Sequence, residues 1–124
     1  MDITSNTSFE GLTLAYLHFI VQMVCDSLPE ELTGDVDVWK SEGADGTEVE
    51  ASIKGATAGG GHTKVSLHLS RDWEVGETDV TIHGERFDDG GWQGLLADEI
   101  GFNDGIPAGN IVGRICKVIE DGYA

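Results

Sequence analysis

Basic residues are scarce in this chain. Lys and Arg together number 7 against 23 Asp and Glu, a formal net charge of −16 over 124 residues. Such a chain repels nucleic acid and anionic membrane, so neither is expected as a direct partner. A partner chosen by electrostatics is a basic protein surface or a cation. Cysteine is scarcer still. Cys25 and Cys116 stand far apart, each inside an apolar helical pattern, with no CxxC and no Cys/His ligand spacing. They read as small buried hydrophobes, not as a disulfide or a reactive thiol. The N-terminus "MDITSNTSFEG" lacks the basic residues of a secretory leader, so a cytoplasmic protein is expected and Asn6-Thr7-Ser8 carries no meaning as a glycosylation acceptor. A long apolar run is also missing. Leu12–Leu28 is broken by His18, Gln22 and Asp26 and flanked by acids, which argues against a membrane span.

What is present fits one domain, residues 1–124, long enough to bury a core without staples. Thr7-Ser8-Phe9-Glu10 fits a capping box opening a helix that Pro29 ends. Leu14, Leu17, Val21 and Val24 on one side, and Ala15, Phe19 and Met23 on another, leave only His18, Gln22 and Asp26 as a polar stripe. A helix this apolar is covered on more than one side, by the sheet and later helices or by a second copy of the chain. Alternation then predicts strands over about Val36–Ser41, Thr47–Lys54, Thr63–Ser70 and Thr78–Phe87, joined by the hairpin loops "EGADG", "GATAGGGH" and "RDWEVGE". Trp92, Leu95, Leu96 and Ile100 recur at helical spacing and predict a short helix stopped by Gly101, with Trp92 in the core. A last helix runs from about Pro107 to Asp121 on Ile111, Ile115, Val118 and Ile119; Gly122 ends it, and Gly109 and Gly113 suggest a close helix crossing. The expected fold is a two-layer α+β domain: a four-stranded antiparallel meander with one N-terminal helix and two C-terminal helices, α-β-β-β-β-α-α.

Catalytic and cofactor motifs fail one by one. If Leu69 faces Val80, then Lys64 faces Glu85, Ser66 faces His83, and His68 faces Thr81. His68 and His83 become diagonal neighbours at roughly 7–8 Å, with Glu50 near His68. Two imidazoles and a carboxylate suit zinc, but exposed sheet faces carry such residues routinely, so a solvated face is the default. His83-Gly84-Glu85 has the H-x-E of zinc deaminases without the required P-C-x-x-C. "GATAGGGHTK" lacks G-K-[ST] and joins two strands, unlike a phosphate loop. Asp88–Glu99 has the span of a calcium loop but places Gly90, Trp92 and Gln93 at ligand and glycine positions. No G-x-S-x-G elbow or Cys/His nucleophile pair exists. No enzyme, cofactor or metal is expected.

Charge is therefore the functional signal. Met1–Trp39 holds seven acids and Phe87–Asn110 five, with no Lys or Arg in either; five of the seven bases lie between Lys40 and Arg86. A domain of this length is roughly 35 Å across, and that length of duplex DNA carries about 20 charges, the same order as −16. In size and charge the chain resembles small mobile-element proteins of the anti-restriction and anti-CRISPR type, at the level of class only. The expectation is a non-enzymatic acidic antagonist, virus- or mobile-element-encoded, that occupies a basic, nucleic-acid-binding surface of a host protein. Its contact residues would be Asp88, Asp89, Asp98, Glu99 and Asp104, with Glu30 and Glu31 as a second patch and Trp73 as an anchor. Two alternatives stand beside it. One is a halophilic or viral structural component whose acidity is solvation. The other is an acidic secretion-type chaperone or toxin-immunity protein, dimeric through the first helix.

Overall fold

The computed structural model describes residues 13–29, 32–42, 46–56, 61–72, 76–88 and 90–123. Their elements are α1 (Thr13–Ser27), β1 (Asp35–Glu42), β2 (Gly46–Ala56), β3 (His62–Asp72), β4 (Glu77–Asp88), β5 (Gly91–Asn103) and α2 (Ala108–Tyr123). The five strands form one antiparallel sheet in sequential order. This is an α+β fold with one helix at each end of a five-stranded meander. The capping box at Thr7–Glu10 lies outside the described residues.

Strict alternation places the apolar residues of β2, β3 and β4 on one face. Val49, Ile53, Val65, Leu67, Leu69, Val80 and Ile82 are each at most 2% exposed. Helix α1 packs over β1, β2 and β3, α2 over β4 and β5, and the helices pack against each other. Leu17, Ile20, Val21 and Val24 of α1 meet Ile111, Ile115 and Ile119 of α2 in the same core. Each such aliphatic side chain stabilises the fold by about 1.5–3 kcal/mol. The apolar girth of α1 is thus used twice, against the sheet and against α2. Gln22 and Asp26 of its polar stripe are exposed, and His18 is half-buried. Burial, and then the Lys40 charge, hold the His18 pKa below its ordinary value.

The segment expected to form a short helix after the fourth strand is instead β5. Its sequence disguised it. The register on β4 shifts between Gly84 and Glu85: Gly84 faces Leu96 but Glu85 faces Gly94, so Leu95 is an extra residue in a β-bulge. Leu96, Ile100 and Phe102 keep a two-residue period on the packed face, while the bulge moves Trp92 to the other face. Spacings of three and four result, and they imitate a helix. Trp92 is accordingly not a core residue. It is 52% exposed and packs at a ring distance of 5.4 Å against Phe87, its cross-strand neighbour. Gly101 stops nothing; it sits inside β5 opposite Asp79.

The expected close crossing at Gly113 is absent, since a Cβ there would meet nothing within 4 Å. The close approach is at Gly122 and Gly84. Gly122 does not end α2, which runs on through Tyr123. A Cβ at either glycine would collide with the Leu96 side chain, so Leu96 is gripped between strand and helix. Beside it the Tyr123 hydroxyl reaches the carbonyls of Glu85 at 2.8 Å and Lys64 at 3.0 Å, fastening the end of α2 to the sheet. Both cysteines are free thiols at the helix pair, Cys116 buried and Cys25 half-buried. The Cys116 Sγ lies 3.9 Å from the Val24 carbonyl oxygen. Burial, then the Glu120 and Cys25 charges, push the Cys116 thiol up to about 11.

One end of the core is polar. Arg71 is 5% exposed on the packed face, opposite Thr47 and Thr78. Its guanidinium makes a two-pronged ion pair with Asp104, in the turn after β5. The Tyr16 hydroxyl donates to the Ile106 carbonyl at 3.5 Å close by, and burial, then Asp104, raise its pKa against the opposing effect of Arg71.

Candidate functional site

The face of the sheet away from the helices carries the chemistry. Paired residues share a face, so the register writes this face as rows across the strands. One row is Trp39–Glu50–His68–Thr81–Glu99. The next is Asp37–Ser52–Ser66–His83–Ala97, and the one after it Asp35–Lys54–Lys64–Glu85–Gly94. Beyond these lie His62, Phe87 and Trp92 at one end, and Glu48, Ser70 and Asp79 at the other.

In the middle row Ser52 and Ser66 are short side chains between the taller Glu50–His68 and Lys54–Lys64 pairs. The result is a groove of about 500 Å³ lined by Asp37, Trp39, Glu50, Ser52, Lys54, Lys64, Ser66, His68, Thr81 and His83, within the size range of small-ligand sites. Ser52 on its floor is 8% exposed. Its Oγ is sealed from solvent and has no hydrogen-bond partner among the described residues.

The two ends differ in charge. Around His68 the carboxylates gather: its Nε2 is 3.5 Å from Glu48 and 3.9 Å from Glu50. Glu77 and Asp79 crowd Gly101 so closely that a Cβ there would strike Glu77, and Glu99 lies on the same strand as Gly101. No Lys or Arg of the described residues shares this end, because Arg71 points to the packed face. The other end carries Lys54 and Lys64 and the tilted ring cluster of His62, Phe87 and Trp92. Leu69 faces Val80, so His68 and His83 are diagonal neighbours and not directly opposite. Among the described residues no three His, Cys, Asp or Glu side chains converge in a metal-holding arrangement.

The residues expected to meet a partner fare unequally. Asp98 and Glu99 are exposed in the middle of β5, the outermost strand, on opposite faces of it; the Asp98 carboxylate accepts the Glu99 amide at 2.8 Å. Asp104 is not an uncompensated charge: Arg71 pairs with it. Asp88 ends β4, and nothing is described of its side chain. Asp89, Glu30, Glu31 and Trp73 lie outside the described residues. Sequence reasoning missed Glu48, Glu77 and Asp79 as part of the acidic end, and Trp39 as a wall of the groove. Alternation could have placed the first three on the open face. Only the fifth strand brings Glu99 beside them.

Comparison with family models, with curated proteins and with solved structures found no match for this chain. Its own geometry therefore carries the functional reading. No helix among the described residues is long and apolar enough to cross a membrane.

Proposed function

We propose that this chain is a non-enzymatic acidic binding protein whose acid-rich sheet end and β5 edge dock on a basic surface of another protein, one that otherwise holds nucleic acid. One observation carries the reading: Glu48, Glu50, Glu77, Asp79 and Glu99 share one end of the open face without a Lys or Arg beside them. Charge spread for solvation alone has no reason to segregate, whereas a one-sign patch extends its field outward and speeds encounter with the opposite sign. Along a strand, carboxylates on alternate residues repeat every ~6.6 Å, a ladder of fixed negative charge of the kind a nucleic-acid-binding surface accepts. The exposed edge of β5, with Asp98 and Glu99 at its centre, prolongs that ladder. In this reading Asp88 and Asp89 extend the contact, and the setting is the host cytoplasm.

The test is association kinetics with the basic protein captured from the chain's native setting. Replacing Asp98 and Glu99 by Asn and Gln, together with Glu77→Gln and Asp79→Asn, slows association by about tenfold or more and flattens its salt dependence. Thermal stability holds or rises as self-repulsion falls. Duplex DNA competes with the chain for the same partner. An unchanged rate and salt slope in the quadruple variant would instead assign the acidity to solvation, and a fold lost at low salt but regained in molar salt would point the same way.

A further inference from the structure

Lys54 and Lys64 are a direct cross-strand pair on β2 and β3, two of only four lysines in a chain of net charge −16. Like charges directly opposite each other on a sheet are destabilising. Asp35 and Glu85 face them from the flanking strands, yet among the described residues neither ammonium has a carboxylate within 4.0 Å. In so acidic a protein a lysine pair without a close ion pair leaves its ammonium groups open to an anion. Next to it on the groove floor are two hydroxyls, Ser52 and Ser66, opposite each other. Ser66 is half-exposed, so its hydroxyl can donate to a ligand oxygen arriving between the lysines; the Ser52 Oγ beside it is sealed from solvent.

The far wall has the opposite character. Glu50 stands directly across from Trp39, whose ring is 55% exposed. A carboxylate beside an open indole face holds a cation twice, by charge and by the ring quadrupole. A dianion is repelled by this wall and a polyamine by the lysine pair. The occupant that satisfies both walls carries one charge of each sign.

We propose that the groove binds a basic residue with a free α-carboxylate. The carboxylate lies between Lys54 and Lys64 and accepts from the Ser66 hydroxyl; the ammonium or guanidinium lies at Glu50 against Trp39. The lengths agree. Lys54 and Glu50 are four residues apart, ~13 Å along the strand. An extended lysine or arginine separates its charges by about 7 Å, and the long wall side chains span the remainder. The ligand is a free basic amino acid or the last residue of a peptide, and the inference stands whether or not the acidic end meets a basic protein.

The experiment titrates the full chain, labelled for amide NMR, with three probes: Ala-Ala-Arg with a free carboxylate, the same peptide amidated, and free L-arginine. The free-acid peptide shifts the amides around Ser52 and Ser66 and binds at least about tenfold tighter than the amide. In the Lys54→Met, Lys64→Met variant that preference disappears while the dispersed sheet spectrum remains; should the double variant not fold, Lys54→Met alone carries the same readout. Glu50→Gln weakens both peptides alike. Free arginine binding as well as the peptide identifies an amino-acid ligand; binding of the peptide alone identifies a chain terminus. Equal affinity for acid and amide, shifts centred on Asp98 and Glu99 instead of the groove, or no shifts up to about 10 mM probe would each overturn the proposal.

Discussion

The five strands have two faces, and the same alternation built both. On the packed face the positions of β2, β3 and most of β4 are sealed, and the cation buried among them, Arg71, is held by Asp104. On the open face the side chains touch through weak or unmade contacts: His68 sits at 3.5–3.9 Å from two half-exposed glutamates, two lysines oppose each other unpaired, and Phe87, Trp39 and Trp92 remain in solvent. The difference teaches where to seek function. A face whose charges satisfy one another is there for stability. An open face with an acidic end and a lysine pair is the place to test for a ligand or partner.

Substitutions sharpen the contrast. Leu67→Ala on the packed face should cost about 4 kcal/mol in urea unfolding, because Leu67 is 2% exposed in the core beneath α1 and the strands cannot close the cavity. A cost below about 1 kcal/mol would mean the core is looser than its burial implies. Gly84→Ala should cost about 2 kcal/mol by overpacking, since the new methyl meets Leu96 and Tyr123. Coupling it with Leu96→Ala should recover part of the loss, and strict additivity would argue against the grip described above.

Alkali tests the burial of the packed face and the helix layer. Cys116 keeps its proton up to about 11 in the fold, against an ordinary value of 9.0. Burial raises Cys25, Tyr16 and Tyr123 in the same direction. Between those values the folded chain binds more protons than the unfolded one, so stability falls as pH rises through that window and is fully present below it. Urea midpoints at pH 8, 9 and 10 should decline in that order, with a shallower decline in Cys116→Ala. A flat profile would remove burial of these groups from the account. The smallest effect belongs to the open face: His68→Ala with His83→Ala should leave stability within about 0.5 kcal/mol. A larger loss, or zinc retained by the wild type and lost in this variant, would turn the pair from a solvated feature into a site.

Legibility in the sequence followed regularity. Strands β2, β3 and β4 were readable because one residue in two is apolar without exception through Val49–Ile53 and Val65–Leu69; the pairing of Leu69 with Val80 was one register among those the alternation allowed. β5 was hidden because Leu95 breaks the period and Asp98 occupies a packed-face position where the edge of the sheet lets it reach water. The partner of Asp104 was hidden for another reason: Arg71 lies 33 residues away, and no local pattern pairs a charge across that distance. The groove was hidden because its floor and walls are rows, assembled from four strands at once. The residues were all visible; which of them stand side by side was not.

The two thiols at the helix seam make the chain its own clock. A thiol that holds its proton to about 11 and hides its sulfur against the Val24 carbonyl is nearly inert toward alkylating reagents while the helices are closed. Labelling of Cys116 is expected to follow the parting of α1 and α2, since the closed pair leaves it 8% exposed. Under conditions where reclosing outpaces labelling, its reaction rate measures the population of the opened helix layer and not the chemistry of the thiol. The half-buried Cys25 lies across the same seam and supplies the faster reference. Occupation of the open face, on the far side of the sheet, can therefore be read at a position no ligand touches: whatever stiffens the strands slows Cys116 relative to Cys25.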